Sequence, residues 1–482
     1  MARSLVRSAL VAALLLAGVG ARAETVPGHV VVRLRHDRAP RILEGETHLR
    51  AIGDGMHIFH TRGDVDDLVR RLAADPEVEW AEPEHVRRID GLTTNDPRFG
   101  DQWALPLIHV TDAWSRTMGL ATVTVAIVDT GILPHPDLVG RFAGGYDFVS
   151  DPANGGDGDG RDADPSDPGT SDPSSSSLHG LHVTGILAAH DNNALGIAGV
   201  DWNCVVLPVR VLGVNGGSGT DADIADGIRW AAGVPVAGVP DNATPAQVIN
   251  LSFGGPGLSN LLQAAVDAAH ARGALVVASA GNDAVDTGNY APAALNHVIA
   301  VGAVDQHSKL APYSNRGARV DIMAPGGDLA QGPTAGILST IKLLTDGYDY
   351  IEYHGTSQAA PHVSGALSLM LAASPGIDPD NAQRILIATA DPAAQCAEGC
   401  GAGLVNVDAA VAAAMQQAIC DPVCAANEVC RNKACVKIDP PFDLEGSCAC
   451  SLAARGWPTG SALVIAALAI AFLRRQRRRH AR

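Results

Sequence analysis

Between residues 93 and 418 short, β-branched apolar runs alternate with Ala-rich stretches of helical character. Runs 123–128, 205–211, 248–251, 274–278 and 298–301 read as strands. A strand that shows one face to solvent alternates polar and apolar residues, whereas these are apolar throughout, which requires burial on both faces. Strands buried on both faces and separated by helices pair in parallel, so the expectation is an α/β fold, a doubly wound parallel sheet flanked by helices. Sheets of this kind carry their sites in the crevice at the carboxyl ends of the strands. Reactive side chains are therefore to be sought where a strand run stops.

Three segments place one there. In Val125-Ala126-Ile127-Val128-Asp129-Thr130-Gly131 a strand ends in a carboxylate followed by a turn glycine. His179-Gly180-Leu181-His182-Val183 opens an Ala-rich helix, and Gly355-Thr356-Ser357-Gln358 sets a serine at a helix start. A serine hydroxyl is a weak nucleophile that needs a base in hydrogen-bond reach. The base in turn needs a buried carboxylate to hold its tautomer and balance the imidazolium. Asp129, His179 and Ser357 supply those three parts, in one of the few chain orders in which such a triad occurs. A helix N-terminus beneath Ser357 adds a free N–H where an oxyanion develops, and Asn282, after the run 274–278, offers a second donor. Taken singly, a strand-end Asp is a turn cap and a serine at a helix start is an N-cap, so the weight lies on the combination.

With these motifs, together with Ser252-Phe253-Gly254 and Gly281-Asn282, the chain resembles the subtilisin-like serine proteases, the subtilases of peptidase family S8, over residues 95–414. The resemblance implies that Asp129 orients the base, His179 is the base, Ser357 the nucleophile and Asn282 an oxyanion donor. It also implies that Ser252, Phe253 and Gly254 lie on an edge to which substrate backbone adds as a strand. His182 and His362 look like structural histidines of the same motifs. Leu181 and Gln358 depart from the family pattern, which usually has Thr and Met there. Neither change removes a reacting group.

Composition agrees with this class and excludes others. Hydrophobic residues are 46% of the chain and charged residues 18%, enough for a large core. Aromatics are 4%, so that core is built from small aliphatic side chains. A formal charge of −17 argues against nucleic acid as a partner.

The flanks read differently. Residues 1–23, with Arg3 and Arg7, an apolar run and Ala21-Arg22-Ala23, read as a signal peptide, so the protein is expected to be exported to the cell surface or beyond. Residues 24–92 form a small α+β module, with strands at 30–34 and 78–84 and a helix at 65–72. Within it, 55–86 resembles the subtilase propeptide, which assists folding and inhibits until cleaved; cleavage is expected near 88–94. Residues 419–447 are Cys-rich, and 448–482 carry Cys448-Ala449-Cys450, one hydrophobic span and an Arg cluster. This tail resembles bacterial C-terminal sorting tags, and a plain C-terminal membrane anchor has the same features.

Of the 9 cysteines, Cys396 and Cys400 are near enough for a local bridge. Cys420, Cys424, Cys430 and Cys435 admit three disulfide connectivities, with zinc as the rival reading. Cys204 reads as a buried thiol. The stretch 151–173 is rich in aspartate, and Asp151, Asp157, Asp159, Asp162, Asp164 and Asp167 are candidate ligands for a structural Ca2+. A solvated acidic loop is the alternative.

The sequence thus points to a calcium-assisted serine endopeptidase made as a preproprotein. Its expected partners are protein or peptide substrates, its own propeptide as intramolecular inhibitor and, through the C-terminal span before any tag processing, the membrane; a monomer is expected. The rivals are a non-catalytic peptide-binding or adhesion protein on the same fold, and a surface processing protease of narrow specificity.

Overall fold

In the strand Thr124–Asp129 every residue is buried, yet successive side chains enter different cores. Val125 and Ile127 pack into one hydrophobic cluster, Ala126 and Val128 into another. Side chains alternate faces along a strand, so an unbroken apolar run signals a layer on each side. The computed structural model describes residues 25–35, 46–85, 92–169, 178–342, 347–392, 396, 399–417, 428–431 and 434–437.

The first of these residues build the small module. Strands β1 (Thr25–Leu34), β2 (Thr47–Gly53), β3 (Met56–His60) and β4 (Val78–His85) form an antiparallel sheet in the order β2-β3-β1-β4. Helix α1 (Val65–Ala73) is capped by Asp64, whose carboxylate accepts from the N–H of Asp67 at 2.7 Å. Its Leu68 and Leu72 join Val30, Val32, Phe59 and Val78 in a compact core. The sequence reading contained β1, α1 and β4 but not β2 or β3. All seven residues of β2 are exposed, so no core-facing pattern marks it.

The main unit holds a seven-stranded parallel sheet. In chain order its strands and helices are β5 (Thr124–Asp129), β6 (Tyr146–Asp147), α2 (His179–Ala188), β7 (Val205–Arg210), α3 (Asp221–Ala231), β8 (Val248–Leu251), α4 (Asn260–Ala271), β9 (Leu275–Ser279), β10 (Val298–Val304) and β11 (Ile322–Pro325). Then follow the hairpin β12 (Ile337–Lys342) and β13 (Tyr348–Tyr353) and helices α5 (Thr356–Ala373), α6 (Pro379–Ala388) and α7 (Val407–Gln417). The sheet order is β11-β10-β9-β8-β5-β7-β6. Helices α3 and α4 cover one face through Ile224, Ile228, Leu262 and Val266. Helices α2, α5 and α7 cover the other through Val183, Leu187, Val363, Leu367 and Val411.

From β5 the chain first winds to β6 and β7 on one side, then returns to β8 and its successors on the other. That reversal places the carboxyl end of β5 at the switch point, where such sheets open a crevice.

Among the described residues no helix is long and apolar enough to cross a membrane. The export segment 1–23, the hydrophobic span and Arg cluster of 448–482, and residues 86–91 of the cleavage segment lie outside the described residues. Of the Cys-rich segment only a backbone hairpin, Glu428–Arg431 with Ala434–Lys437, is described. Cys396 and Cys400 are joined by a disulfide, and Cys204 is a buried free thiol.

Candidate active site

Asp129 closes β5 fully buried, and its Oδ1 accepts from the N–H of Thr130 at 2.7 Å and meets Nδ1 of His179 at 2.8 Å. Two glycines make that meeting possible. Gly131 turns the chain with φ +104, and a Cβ there would lie 2.5 Å from the carbonyl oxygen of Pro165. Gly180 lets α2 approach the turn, since its Cβ would stand 2.3 Å from the carbonyl oxygen of Gly131. The N–H of Gly180 donates to Thr130 Oγ1 at 3.1 Å, tying the first turn of α2 to the end of β5.

Burial pushes the pKa of His179 down, but the charge and hydrogen bond of Asp129, with the charge of Asp167, outweigh it and raise the net value. Because Nδ1–H donates to Asp129, Nε2 is the nitrogen left to take a proton.

The hairpin β12–β13 holds α2 from behind, a support that no local pattern announced. Ser339 Oγ donates to the carbonyl of His182 at 2.6 Å and Thr340 Oγ1 to that of Leu181 at 2.9 Å. His182 Nε2 donates to the carbonyl of Ile351 at 3.0 Å, its ring stacked on Tyr353 with centroids 4.4 Å apart. Burial drives its pKa to about 3, so it stays neutral. His362, on α5, donates from Nδ1 to the carbonyl of Gln358 at 2.8 Å and is likewise lowered by burial, to about 4. Both histidines are structural. Leu181 fills an apolar pocket with Leu138, Leu178 and Ile341, which accounts for an aliphatic residue at that position.

Ser357 lies in the first turn of α5, whose N-cap Gly355 offers no side-chain cap. Asn282 Oδ1 accepts from both the N–H and Oγ1 of Thr356, each at 2.9 Å. With its oxygen thus engaged, Asn282 presents Nδ2 as a donor beside the serine.

Ser357 Oγ donates to the carbonyl of Ser252 at 2.8 Å, and Ser252 Oγ donates to the carbonyl of Ser357 at 2.8 Å. Behind Ser252, Asn250 Nδ2 donates to Ser252 Oγ and Ser364 Oγ donates to Asn250 Oδ1, each at 2.9 Å. Sequence reasoning missed this buried chain, although an amide in the apolar run Val248–Leu251 is its visible signal.

Ser252, Phe253 and Gly254 share with His179, Asn282 and Ser357 one open cleft of about 220 Å³, walled on one side by Tyr290. Their carbonyls are engaged within the protein. That of Phe253 accepts from Ser279 Oγ at 3.4 Å and that of Gly254 from the Tyr290 hydroxyl at 3.3 Å.

Of the six calcium candidates, Asp157, Asp159 and Asp162 come near enough for their charges to interact. Among the described residues the only cluster of three or more potential ligands lies elsewhere. Asp151, Asp162, Asp164 and Asp167 each accept through Oδ1 from the backbone N–H two residues on. The acidic spacing is thus a series of Asx turns. Asp157 pairs with Arg210, which also reaches Asp147 and the carbonyl of Gly155. Asp159 is raised by partial desolvation and by the charges of Asp162 and Asp157.

Asp167 has another role. Its Oδ2 accepts from the N–H of Leu178 at 2.8 Å, fixing the left-handed residue that starts α2 and setting a charge near His179. Elsewhere the fold does join carboxylates. Asp137 is fully buried and raised by burial, with the charge of Asp96 adding. It accepts from Asn193 Nδ2 at 2.6 Å, while Asp96 accepts from the N–H groups of Asn192 and Asn193 at 3.0 and 3.1 Å.

Comparison with known proteins agrees with this arrangement. Residues 121–403 match peptidase S8, described as the subtilase family. An extracellular protease of Xanthomonas campestris pv. campestris is 42% identical over 375 residues, 73% of this chain and 62% of that protein. This chain therefore spans less than two thirds of that relative's length. Thermitase of Thermoactinomyces vulgaris is 37% identical over 321 residues, covering 66% of this chain and 99% of thermitase. A solved protease structure from Pseudoalteromonas arctica PAMC 21717 is 42% identical, with a TM-score of 0.64, over 67% of this chain and all of that one. On the strength of one cleft lined by His179 and Ser357 and backed by the buried Asp129, and of a family match across the parallel sheet, the chain belongs to the subtilase family.

Proposed function

We propose that the chain is an exported serine endopeptidase that matures by cutting off its own N-terminal module. The observation that carries this reading is the shared cleft of His179, Asn282 and Ser357, with the base bonded to a buried carboxylate at 2.8 Å.

In the mechanism this supports, Ser357 Oγ leaves the Ser252 carbonyl and turns to His179 Nε2, as catalytic hydrogen bonds do when substrate arrives. Nε2 takes the hydroxyl proton while Oγ attacks the scissile carbonyl. The imidazolium is balanced by Asp129, and the oxyanion accepts from Asn282 Nδ2 and the N–H of Ser357. Nε2–H then protonates the leaving amine, and water activated by the same nitrogen hydrolyses the acyl-enzyme. The rotation has a second effect. It frees the Ser252 carbonyl to accept from a substrate N–H, so strand addition at Ser252-Phe253-Gly254 and arming of the nucleophile are coupled.

The four-stranded module at 25–85 is the intramolecular inhibitor in this reading, and export precedes its release. A fluorophosphonate that reacts with activated serines tests the proposal. It should label the mature chain stoichiometrically at Ser357 and leave the His179→Ala chain unlabelled. A folded chain that takes up no label would favour the non-catalytic peptide-binding reading.

Asp167 supplies a check on the base. Asp167→Asn removes one charge that raises His179, while its amide oxygen still accepts a backbone N–H. The acid limb of the kcat/KM profile should then move to lower pH, read from initial rates across pH. No movement would mean that the charge is screened from the imidazole.

Subtilases commonly bind structural calcium, and Asp157, Asp159 and Asp162, whose charges interact within the Asp-rich stretch, are its candidate ligands here. A cation there would neutralise carboxylates that repel one another. Removing calcium with a chelator should lower Tm by a few degrees, since saturation at about 100 Kd contributes about 2.7 kcal/mol. Asp159→Asn should abolish that difference.

A further inference from the structure

Away from the cleft, three segments distant in sequence bring imidazoles and carboxylates to one surface point. His270 stands in the last turn of α4, His297 directly precedes β10, and Asp380 lies in the first turn of α6. The two rings stack with centroids 4.0 Å apart and planes 19° from parallel. His270 Nε2 is 3.6 Å from Asp380 Oδ1, and His297 Nε2 is 4.0 Å from Asp267 Oδ1, one turn earlier on α4. One ligand atom from each of His270, His297 and Asp380 lies within 4.8 Å of the other two.

These separations exceed a direct hydrogen bond of about 2.7–3.2 Å. The 3.6 Å between His270 and Asp380 lies close to the span of about 3.3 Å that two ligands have across a tetrahedral ion with bonds near 2.0–2.1 Å. His297 stands within 4.8 Å of both.

The frame is fixed independently of the ligands. Gln263 on α4 clamps the residue before His297, its Oε1 accepting from the N–H of Asn296 at 2.9 Å and its Nε2 donating to the Asn296 carbonyl at 3.3 Å. The same Nε2 donates to Asp267 Oδ1 at 2.7 Å, orienting that carboxylate as outer partners orient metal ligands. On the far side, α6 is anchored through Ala382, Ile385 and Leu386 in the core that also holds Leu367 and Met370 of α5. Because the stacked rings direct their lone pairs side by side, the exposed side chains of His297 and Asp380 rotate to close the set on binding.

We propose that His270, His297 and Asp380, with Asp267 beside them, form a surface site for a first-row transition dication of zinc type. Two imidazole nitrogens select such an ion over calcium, which takes oxygen ligands. Bound there, the ion ties α4, the start of β10 and α6 together, and so acts as a cross-link between segments more than 80 residues apart, as from 297 to 380. Its effect falls on stability and leaves the reacting groups untouched.

The test is Zn2+ titration of the full chain carrying Ser357→Ala, which suppresses self-digestion, beside the same chain with His297→Ala or Asp380→Asn added. The parent should take up one equivalent more than either variant. Its Tm should rise by a few degrees with Zn2+ where theirs does not, and all three should melt together in EDTA. Equal uptake by parent and His297→Ala, full retention by Asp380→Asn, or no uptake by the parent at about 1 mM would each overturn the site.

Discussion

Replacing Ser357 by alanine is expected to leave a folded chain whose peptide hydrolysis falls on the order of 10⁶-fold, the loss known for the nucleophile of the subtilisin triad itself. Folding survives because the change removes one hydrogen bond, from Ser357 Oγ to the Ser252 carbonyl, worth about 1 kcal/mol. The chain Ser364–Asn250–Ser252 behind it remains intact. Residual turnover comes from the oxyanion donors and substrate binding alone. The same variant should keep its N-terminal module while the wild type loses it, which intact mass against time will read. If the alanine chain sheds the module at the wild-type rate, another protease makes the cut and the self-processing reading fails, whatever happens to the fluorophosphonate.

Asp129→Asn is expected to lower kcat, by up to about 10⁴-fold, the loss found where the same change also switches the imidazole tautomer. The local geometry says what the loss would measure. Asp129 Oδ1 accepts from both the Thr130 N–H and His179 Nδ1, so an asparagine keeps its oxygen there and preserves the imidazole tautomer. What disappears is the charge. Burial continues to press the His179 pKa down while the groups raising it are weakened, so the imidazolium formed during attack loses its counter-ion. The acid limb of the pH profile should therefore shift to lower pH along with the fall in rate. A variant within about tenfold of wild type would show that the carboxylate only positions the ring.

The parallel sheet was readable because burial on both faces leaves its mark in every residue of a run, as in Val125 to Val128. The reacting residues were readable for a related reason, since each stands where a strand or helix begins or ends. Asp137 carried no such mark. It sits in an ordinary Pro-Asp-Leu turn, and only the return of the 190–197 loop and of Tyr350 buries it. Aspartates at short spacing suit both a calcium loop and a run of Asx turns, and the two are compatible. The backbone N–H groups of Ala153, Asp164, Ser166 and Gly169 each take only Oδ1 of Asp151, Asp162, Asp164 and Asp167.

The sequence by itself determined the fold class and the places of Asp129, His179 and Ser357 at element ends, because strand burial and strand-end residues are local properties of the chain. Tertiary structure alone decided that Ser357 rests on the carbonyl of a residue 105 positions away, that Asp167 holds the residue before His179, and that His270 meets His297. Such contacts follow from the strand order and the loops that cross it, and no periodicity records which distant side chains those crossings bring within reach.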